Sequence, residues 1–252
     1  MKNVQTFGVQ SNRYAQARPT YPKALPAYLS SLTPEHRRVW DCATGNGQFA
    51  VVCANFFAEV VATDISAAQV RHAIPHPNVK YSVGTAEEPP FKSTAFDMIV
   101  VAQAVHWFNL ERFYGECRRL LKPGGVLAVF GYAFPSITPK IDALIDKQLL
   151  QPIDPFWAAG NRLIMDAYRS LPFPLAEIRD IPPFAVEVVW NLEQFVAYLR
   201  TWSAVKRYIT EIGTDPVGAM ADALRAAWGS PDESRTVKMP LAMKVAVNSG
   251  DW

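Results

Sequence analysis

Read for its hydrophobic and polar positions, the first half of the chain alternates short apolar runs with segments of helical period. The runs "RRVWDC", "EVVATD", "NVKYSV", "FDMIVVA" and "GGVLAVFGY" predict strands, and "GQFAVVCANFF", "SAAQVRHAI" and "NLERFYGECRRLL" between them predict helices. Met98 to Ala102 shows no polar alternation, the pattern of a strand covered on both faces. A parallel βαβαβ layout follows.

Beyond Tyr132 the rhythm changes. Prolines at 135, 139, 152, 155, 172, 174, 182 and 183 punctuate helical pieces, among them "ITPKIDALIDKQLLQ" and "DPFWAAGNRLIMDAYRSL". A strand-like "AVEVVW" follows, then helical "NLEQFVAYLRTWSAVKRYI", a helix from about Pro216 to Trp228, and a last strand near "VKMPLAMKVAV". The second half therefore reads as strands completing the sheet, interrupted by a helical lobe.

Composition narrows the setting. A chain of 252 residues, half of them hydrophobic, can bury a core of ordinary density. With 25 basic against 23 acidic residues there is no charge excess to attract a polyanion, so no nucleic-acid partner is expected. Cys42, Cys53 and Cys117 are too few and too scattered for a disulfide framework or a metal site, and suit a reducing compartment. No apolar run is long enough to span a bilayer and the first residues lack an apolar signal core, so the expectation is a cytoplasmic protein, monomer or homodimer, with no membrane partner.

The chemistry concentrates in "VWDCATGNGQFAVVCANF", where the first strand meets the first helix. Ligands of open α/β sheets bind outside the carboxyl ends of the strands. Gly45 and Gly47 permit positive φ and let a ligand approach the backbone without meeting a Cβ. The unpaired N–H groups that open the next helix favour an anionic group on that ligand. "GNGQFA" even satisfies G-x-G-x-x-G/A, and Asp64 ends the second strand where a ribose-binding acid belongs, so an NAD- or flavin-dependent oxidoreductase is one reading. Against it, Asp41 ends the first strand and Cys42, Ala43 and Thr44 separate it from the glycines. A carboxylate there repels a pyrophosphate and attracts a cation.

Five ordered segments carry a resemblance: "VWDCATGNGQ", "VVATDIS", "YSVGTAEEPPF", "FDMIVVAQAVHWF" and "LLKPGGVLAVF". Together with the upstream "YAQARPTYP" they resemble the class I S-adenosylmethionine-dependent methyltransferases, in the small-molecule branch called type 11. The likeness covers roughly Tyr14 to Tyr132, and "YLRTWSAV" extends it to Val205 and towards trans-aconitate methyltransferase-like proteins. It implies a Rossmann-like, doubly wound, mostly parallel seven-stranded sheet with an inserted helical lobe. Residues 1–134 would form the cofactor-binding core with an N-terminal covering helix, 135–230 the substrate lobe interleaved with the sixth strand, and 231–252 the last strand. The family usually has Gly at the position of Ala43, so an altered contact is expected there.

The resemblance also implies roles. Asp41 would face the cationic end of the methionyl part of S-adenosylmethionine, with Ala43, Gly45 and Gly47 beside it. Asp64 would accept the ribose hydroxyls, Ile65 would lie on the adenine face, and Thr85, Ala86 and Glu87 would line the adenine edge. Ala102 and Gln103 would flank the sulfonium, and Tyr14 and Arg18 would cover the site and hold the methionyl carboxylate. S-adenosylhomocysteine would be the product.

"QAVHWF" follows the strand whose end should adjoin the transferred methyl. His106 is either a general base for an oxygen or nitrogen acceptor or a hydrogen-bonded histidine under the lobe, and Trp107 either core or pocket wall. A carboxylate acceptor would need no base. Relatives sharing "TWSA" methylate small carboxylic acids, which makes Arg200, Trp202 and Ser203 the first choices for substrate contact, while Trp157, Trp190, Tyr198 and Tyr208 can equally form the lobe's core. His36, His72 and His76 have no metal-ligand company. A protein that binds S-adenosylmethionine without catalysing transfer is the remaining alternative.

Overall fold

A computed structural model describes residues 20–250. Helix α1 (Ala24–Ser31) precedes β1 (Arg38–Cys42), α2 (Gln48–Cys53), β2 (Glu59–Asp64), α3 (Ala67–Arg71), β3 (Val79–Val83), β4 (Phe96–Ala102), a 3-10 turn (Val105–Trp107), α4 (Leu110–Leu120) and β5 (Leu121–Tyr132). The strands form one seven-stranded sheet in the order β3-β2-β1-β4-β5-β7-β6. β1 pairs in parallel with both β2 and β4, so the chain reverses direction across the sheet beside β1.

Both faces of the sheet are covered, as the unbroken apolar run of β4 predicts. On one side Trp40, Ile99 and Leu127 meet Phe113, Cys117 and Leu120 of α4, which recur at helical spacing. On the other, Val39, Met98 and Phe130 meet Leu25 and Leu29 of α1 and Phe49 and Cys53 of α2. Short polar caps start the helices: the Ser66 hydroxyl accepts from the Gln69 amide, Asn109 accepts from Arg112, and Asn191 and Gln194 form a reciprocal capping box.

The lobe begins with α5 (Pro139–Ile145), which runs on through a π-helical turn (Asp146–Leu150) and a last α-turn (Gln151–Ile153). Its buried residues are Ile141, Ile145, Leu149 and Ile153. A constant step of four residues rotates about 40° further round a regular helix each time, and the wider π turn rotates the stripe back. The turn therefore keeps all four side chains on the lobe's core.

Next come α6 (Asn161–Met165), β6 (Ala185–Trp190), α7 (Leu192–Leu199), α8 (Ser203–Ile212), α9 (Pro216–Ala219), α10 (Ala221–Trp228) and β7 (Arg235–Val247). Three expected helices are shorter or broken. "NLEQFVAYLRTWSAVKRYI" divides at Arg200 to Trp202, Pro216 to Trp228 divides at Met220, and "DPFWAAGNRLIMDAYRSL" keeps only α6 as α-helix. In the last, Ala167 and Tyr168 adopt left-handed φ values of 58° each, which ends the helix.

β7 has two partners in succession. Its first part, up to Pro240, pairs antiparallel with β6, and its second, from Leu241, pairs antiparallel with β5. Pro240, which has no N–H to give a ladder, stands where one partner is exchanged for the other. Val237 and Met239 from the first part pack with Val186, Phe195, Leu199 and Trp228 in the lobe's own core. Among the described residues no helix is long and apolar enough to cross a membrane.

Candidate active site

The loop after β1 is held from every side. Thr44 donates its amide to the Thr63 carbonyl, Gly45 donates its amide to Asp64 Oδ2 at 2.8 Å, and Ile74 donates to the Asn46 carbonyl. Gly45 and Gly47 have φ values of 59° and 84°, the left-handed region that glycine enters without strain. A β-carbon on Gly45 would meet open space, whereas one on Gly47 would overlap the Tyr81 hydroxyl. Ala43 also takes a left-handed φ, 57°. The departure from the family's glycine is thus a backbone matter as well as one of added volume.

Asp41 supplies the dominant electrostatic feature. It is 1% exposed, and its Oδ2 accepts the Thr44 hydroxyl at 2.5 Å. Its Oδ1 is buried with no hydrogen-bond partner. Burial, reinforced by the nearby Asp64 charge and only partly offset by the Thr44 hydroxyl and the Ala50 amide, pushes its carboxyl up to about 7. A buried carboxylate oxygen left open beside a glycine cradle suits a cationic donor and repels a pyrophosphate. The residues present therefore fit the ammonium and sulfonium charges of S-adenosylmethionine.

Asp64 divides its oxygens between two amides: Oδ2 takes Gly45 and Oδ1 takes Ser66, each at 2.8 Å. Burial raises its pKa against those two hydrogen bonds. With two lone pairs on each oxygen, the carboxylate retains capacity for ligand hydroxyls. Ile65 beside it is 55% exposed, an apolar side chain facing outward next to Asp64. Ala86 is buried, Thr85 half-buried, and Glu87 Oε1 accepts the Asn109 amide, tying the segment after β3 to the start of α4.

At the tip of β4, Ala102 pairs with Phe130, and Gln103 follows with a left-handed φ of 58°. The Gln103 amide group donates to the Tyr132 carbonyl at 2.9 Å, so this side chain satisfies the end of β5. His106 Nδ1 lies 3.3 Å from the Tyr168 hydroxyl, and Trp107 is 37% exposed. The lobe touches this turn directly, since a β-carbon on Gly160 would overlap the His106 carbonyl.

The lobe candidates do not all converge on this turn. Arg200 is exposed and pairs with Asp215 at 2.9 Å, and Ser203 is exposed at the start of α8. Trp202 is buried against Phe134, Trp157 and Tyr198. Arg162 and Arg207 likewise engage Asp154 and Glu211. Tyr14 and Arg18 lie outside the described residues. Among the described residues no three His, Cys, Asp or Glu side chains gather as a metal centre.

Two residues near the site carry no local sequence signal. Tyr81 sits on β3, 34 residues beyond the Gly47 it lies against, with its hydroxyl donating to the Ile74 carbonyl. Tyr168 reaches His106 across 62 positions of sequence. Both contacts join segments that only the fold brings together.

A family model described as a methyltransferase domain matches residues 40–129. A methyltransferase-named protein of Dictyostelium discoideum is 31% identical over 230 residues, covering 90% of this chain and 87% of that protein. A solved structure described as a type II methyltransferase from Anaeromyxobacter dehalogenans is 38% identical with a TM-score of 0.86, covering 91% of this chain and 97% of its own. A methyltransferase-named protein of Mycobacterium bovis is 34% identical over 127 residues, 49% of this chain and 51% of that protein. None of the three names an acceptor, and the narrower likeness to trans-aconitate methyltransferases rests on the "TWSA" segment alone. By matched domain, near-full-length relatives and sheet order, the chain belongs to the class I S-adenosylmethionine-dependent methyltransferases.

Proposed function

We propose that the protein transfers a methyl group from S-adenosylmethionine to a small-molecule acceptor, at an oxygen of hydroxyl or carboxylate type. When bound, S-adenosylmethionine supplies a methyl group already activated by the positive sulfur. The observation that carries the reading is the buried, unpartnered Asp41 oxygen beside the open space at Gly45. In this reading Asp41 receives the ammonium, the Gly45 and Gly47 backbone lies close to the methionyl part, and Asp64 takes the ribose hydroxyls. Ile65 covers the adenine, and Thr85, Ala86 and Glu87 border its edge. Ala102 and Gln103 end β4 beside the reacting carbon, and the chain's main contribution is alignment, for which effective concentrations are worth about 7–11 kcal/mol.

The acceptor enters from the side of His106 and Trp107, where the lobe abuts the 3-10 turn. A hydroxyl acceptor is favoured over a carboxylate because Arg200, the residue offered for a carboxylate, is already paired with Asp215. Thermal shifts with S-adenosylmethionine, S-adenosylhomocysteine and NAD test the cofactor: selective stabilisation by the first two is expected. Release of S-adenosylhomocysteine across a panel of phenols and small acids then identifies the acceptor class. A shift with NAD alone overturns the reading.

A further inference from the structure

Three features converge on the acceptor side of β4 and β5. Tyr168 is fully buried, and its hydroxyl faces His106 Nδ1 at 3.3 Å. Burial raises its pKa far above neutrality, so it remains a neutral phenol whose oxygen can accept from the ring. Second, the ring is delivered by two consecutive non-glycine residues in the left-handed region, Ala167 and Tyr168. Such positions persist where surrounding packing enforces them, and they cluster at functional sites. Third, Gly131 on β5 leaves the space the hydroxyl occupies. A β-carbon there would stand 2.6 Å from Gln103 Oε1, 2.9 Å from Ile164 Cδ1 and 3.0 Å from the Tyr168 hydroxyl.

We propose that Tyr168 is a positioning residue for His106, fixing the orientation of the imidazole at the acceptor end of the site, with Nδ1–H donating to the phenol oxygen. The inference rests on the proposed function in one respect: the imidazole so held serves an acceptor that carries a proton. With Nδ1–H engaged by Tyr168, Nε2 is the basic nitrogen and takes the proton of the acceptor's O–H as the methyl group is transferred. Tyr168 itself touches neither acceptor nor cofactor. It acts as the third group that orients a base, a role carried elsewhere by a carboxylate.

The chain has four histidines, so their ring nitrogens can be resolved in the 15N-labelled protein. Wild type, Tyr168→Phe and Gly131→Ala are compared at one pH. Tyr168→Phe keeps the buried ring and removes only the hydroxyl; Gly131→Ala crowds Gln103 and Ile164 as well as the hydroxyl, so it supports the assignment only where it agrees with Tyr168→Phe. The expected result is a change in the His106 nitrogen shifts in both variants, with those of His36, His72 and His76 unmoved. On the acceptor found by the panel, kcat of Tyr168→Phe falls roughly tenfold or more, while KM for S-adenosylmethionine holds. Calorimetry with S-adenosylhomocysteine separates the two readings. Wild type that fails to bind it rejects the proposed function, whereas His106 nitrogens identical in all three proteins overturn the role of Tyr168 regardless of binding.

Discussion

The Tyr81 hydroxyl occupies the position a β-carbon on Gly47 would need, so the edge of β3 closes over the backbone of the loop after β1. Gly47 is thus fixed twice, by its φ of 84° and by Tyr81. Gly47→Ala is expected to lower stability by about 1–3 kcal/mol and to abolish the thermal shift with S-adenosylhomocysteine. Gly47→Ala combined with Tyr81→Phe removes the hydroxyl contact but leaves two ring carbons 2.7 Å from the added β-carbon and the backbone strain, and should recover only part of the melting temperature. Equal melting of Gly47→Ala and wild type would remove both constraints.

Asp64 links two loops through one carboxylate, so its loss does more than delete a ligand contact. Asp64→Ala leaves the Gly45 and Ser66 amides without partners and is expected to abolish the thermal shift with S-adenosylmethionine. Asp64→Asn, which keeps one acceptor oxygen, should retain part of it. An unchanged shift in Asp64→Ala takes the residue out of the site.

The Asp41 carboxyl makes both stability and binding depend on pH, in opposite directions. The folded protein keeps this proton up to about pH 7, whereas the unfolded chain releases it near the ordinary 3.8. Between those values the folded state binds more protons, so this group's contribution is complete below the lower value and lost as pH rises through the upper one. A cationic ligand needs the carboxylate, so affinity for S-adenosylmethionine should rise as pH passes through about 7. Calorimetry at pH 6 and pH 8, with Asp41→Asn as the pH-insensitive control, checks both the slope and its assignment.

Asp97 at the start of β4 anchors the opposite end of the sheet. It is 1% exposed and accepts the Arg37 and Arg38 amides at 2.9 and 2.7 Å and the Lys122 ammonium at 2.6 Å. The hydrogen bond Lys122 donates to Asp97, and then the one it donates to Glu35, raise the Lys122 pKa against burial. Asp97→Ala leaves two amides without partners and Lys122 with Glu35 alone, and should cost about 2–4 kcal/mol in urea unfolding, with cofactor affinity in the surviving folded protein unchanged.

How far the sequence alone carried the structure depended on the range of the interactions concerned. The strands and the Ser66 cap were legible because apolar runs and a hydroxyl before a helix act within a few residues. The glycine loop was legible as a ligand cradle because positive φ and the missing side chain are properties of the residue itself. The breaks at Arg200 to Trp202 and at Met220 were not, since helix propensity there is ordinary and packing of the lobe decides. Nor was the pairing of Arg200 with Asp215, which depends on two helices meeting. Tyr168 stayed hidden for the same reason: its ring points at His106 only once α6 has ended in a left-handed step.

The exchange of partners at Pro240 sets an order of assembly. As the polypeptide emerges from the ribosome, β1 to β5 can pair with one another as soon as they are made, but β6 has no neighbour to dock against until β7 arrives. The lobe's helices are thus synthesised onto an unfinished scaffold, and one late segment both seals their core and joins them to the earlier half. A ribosome stalled before Arg235 should hold a nascent chain whose first half resists protease while the stretch around β6 is cut.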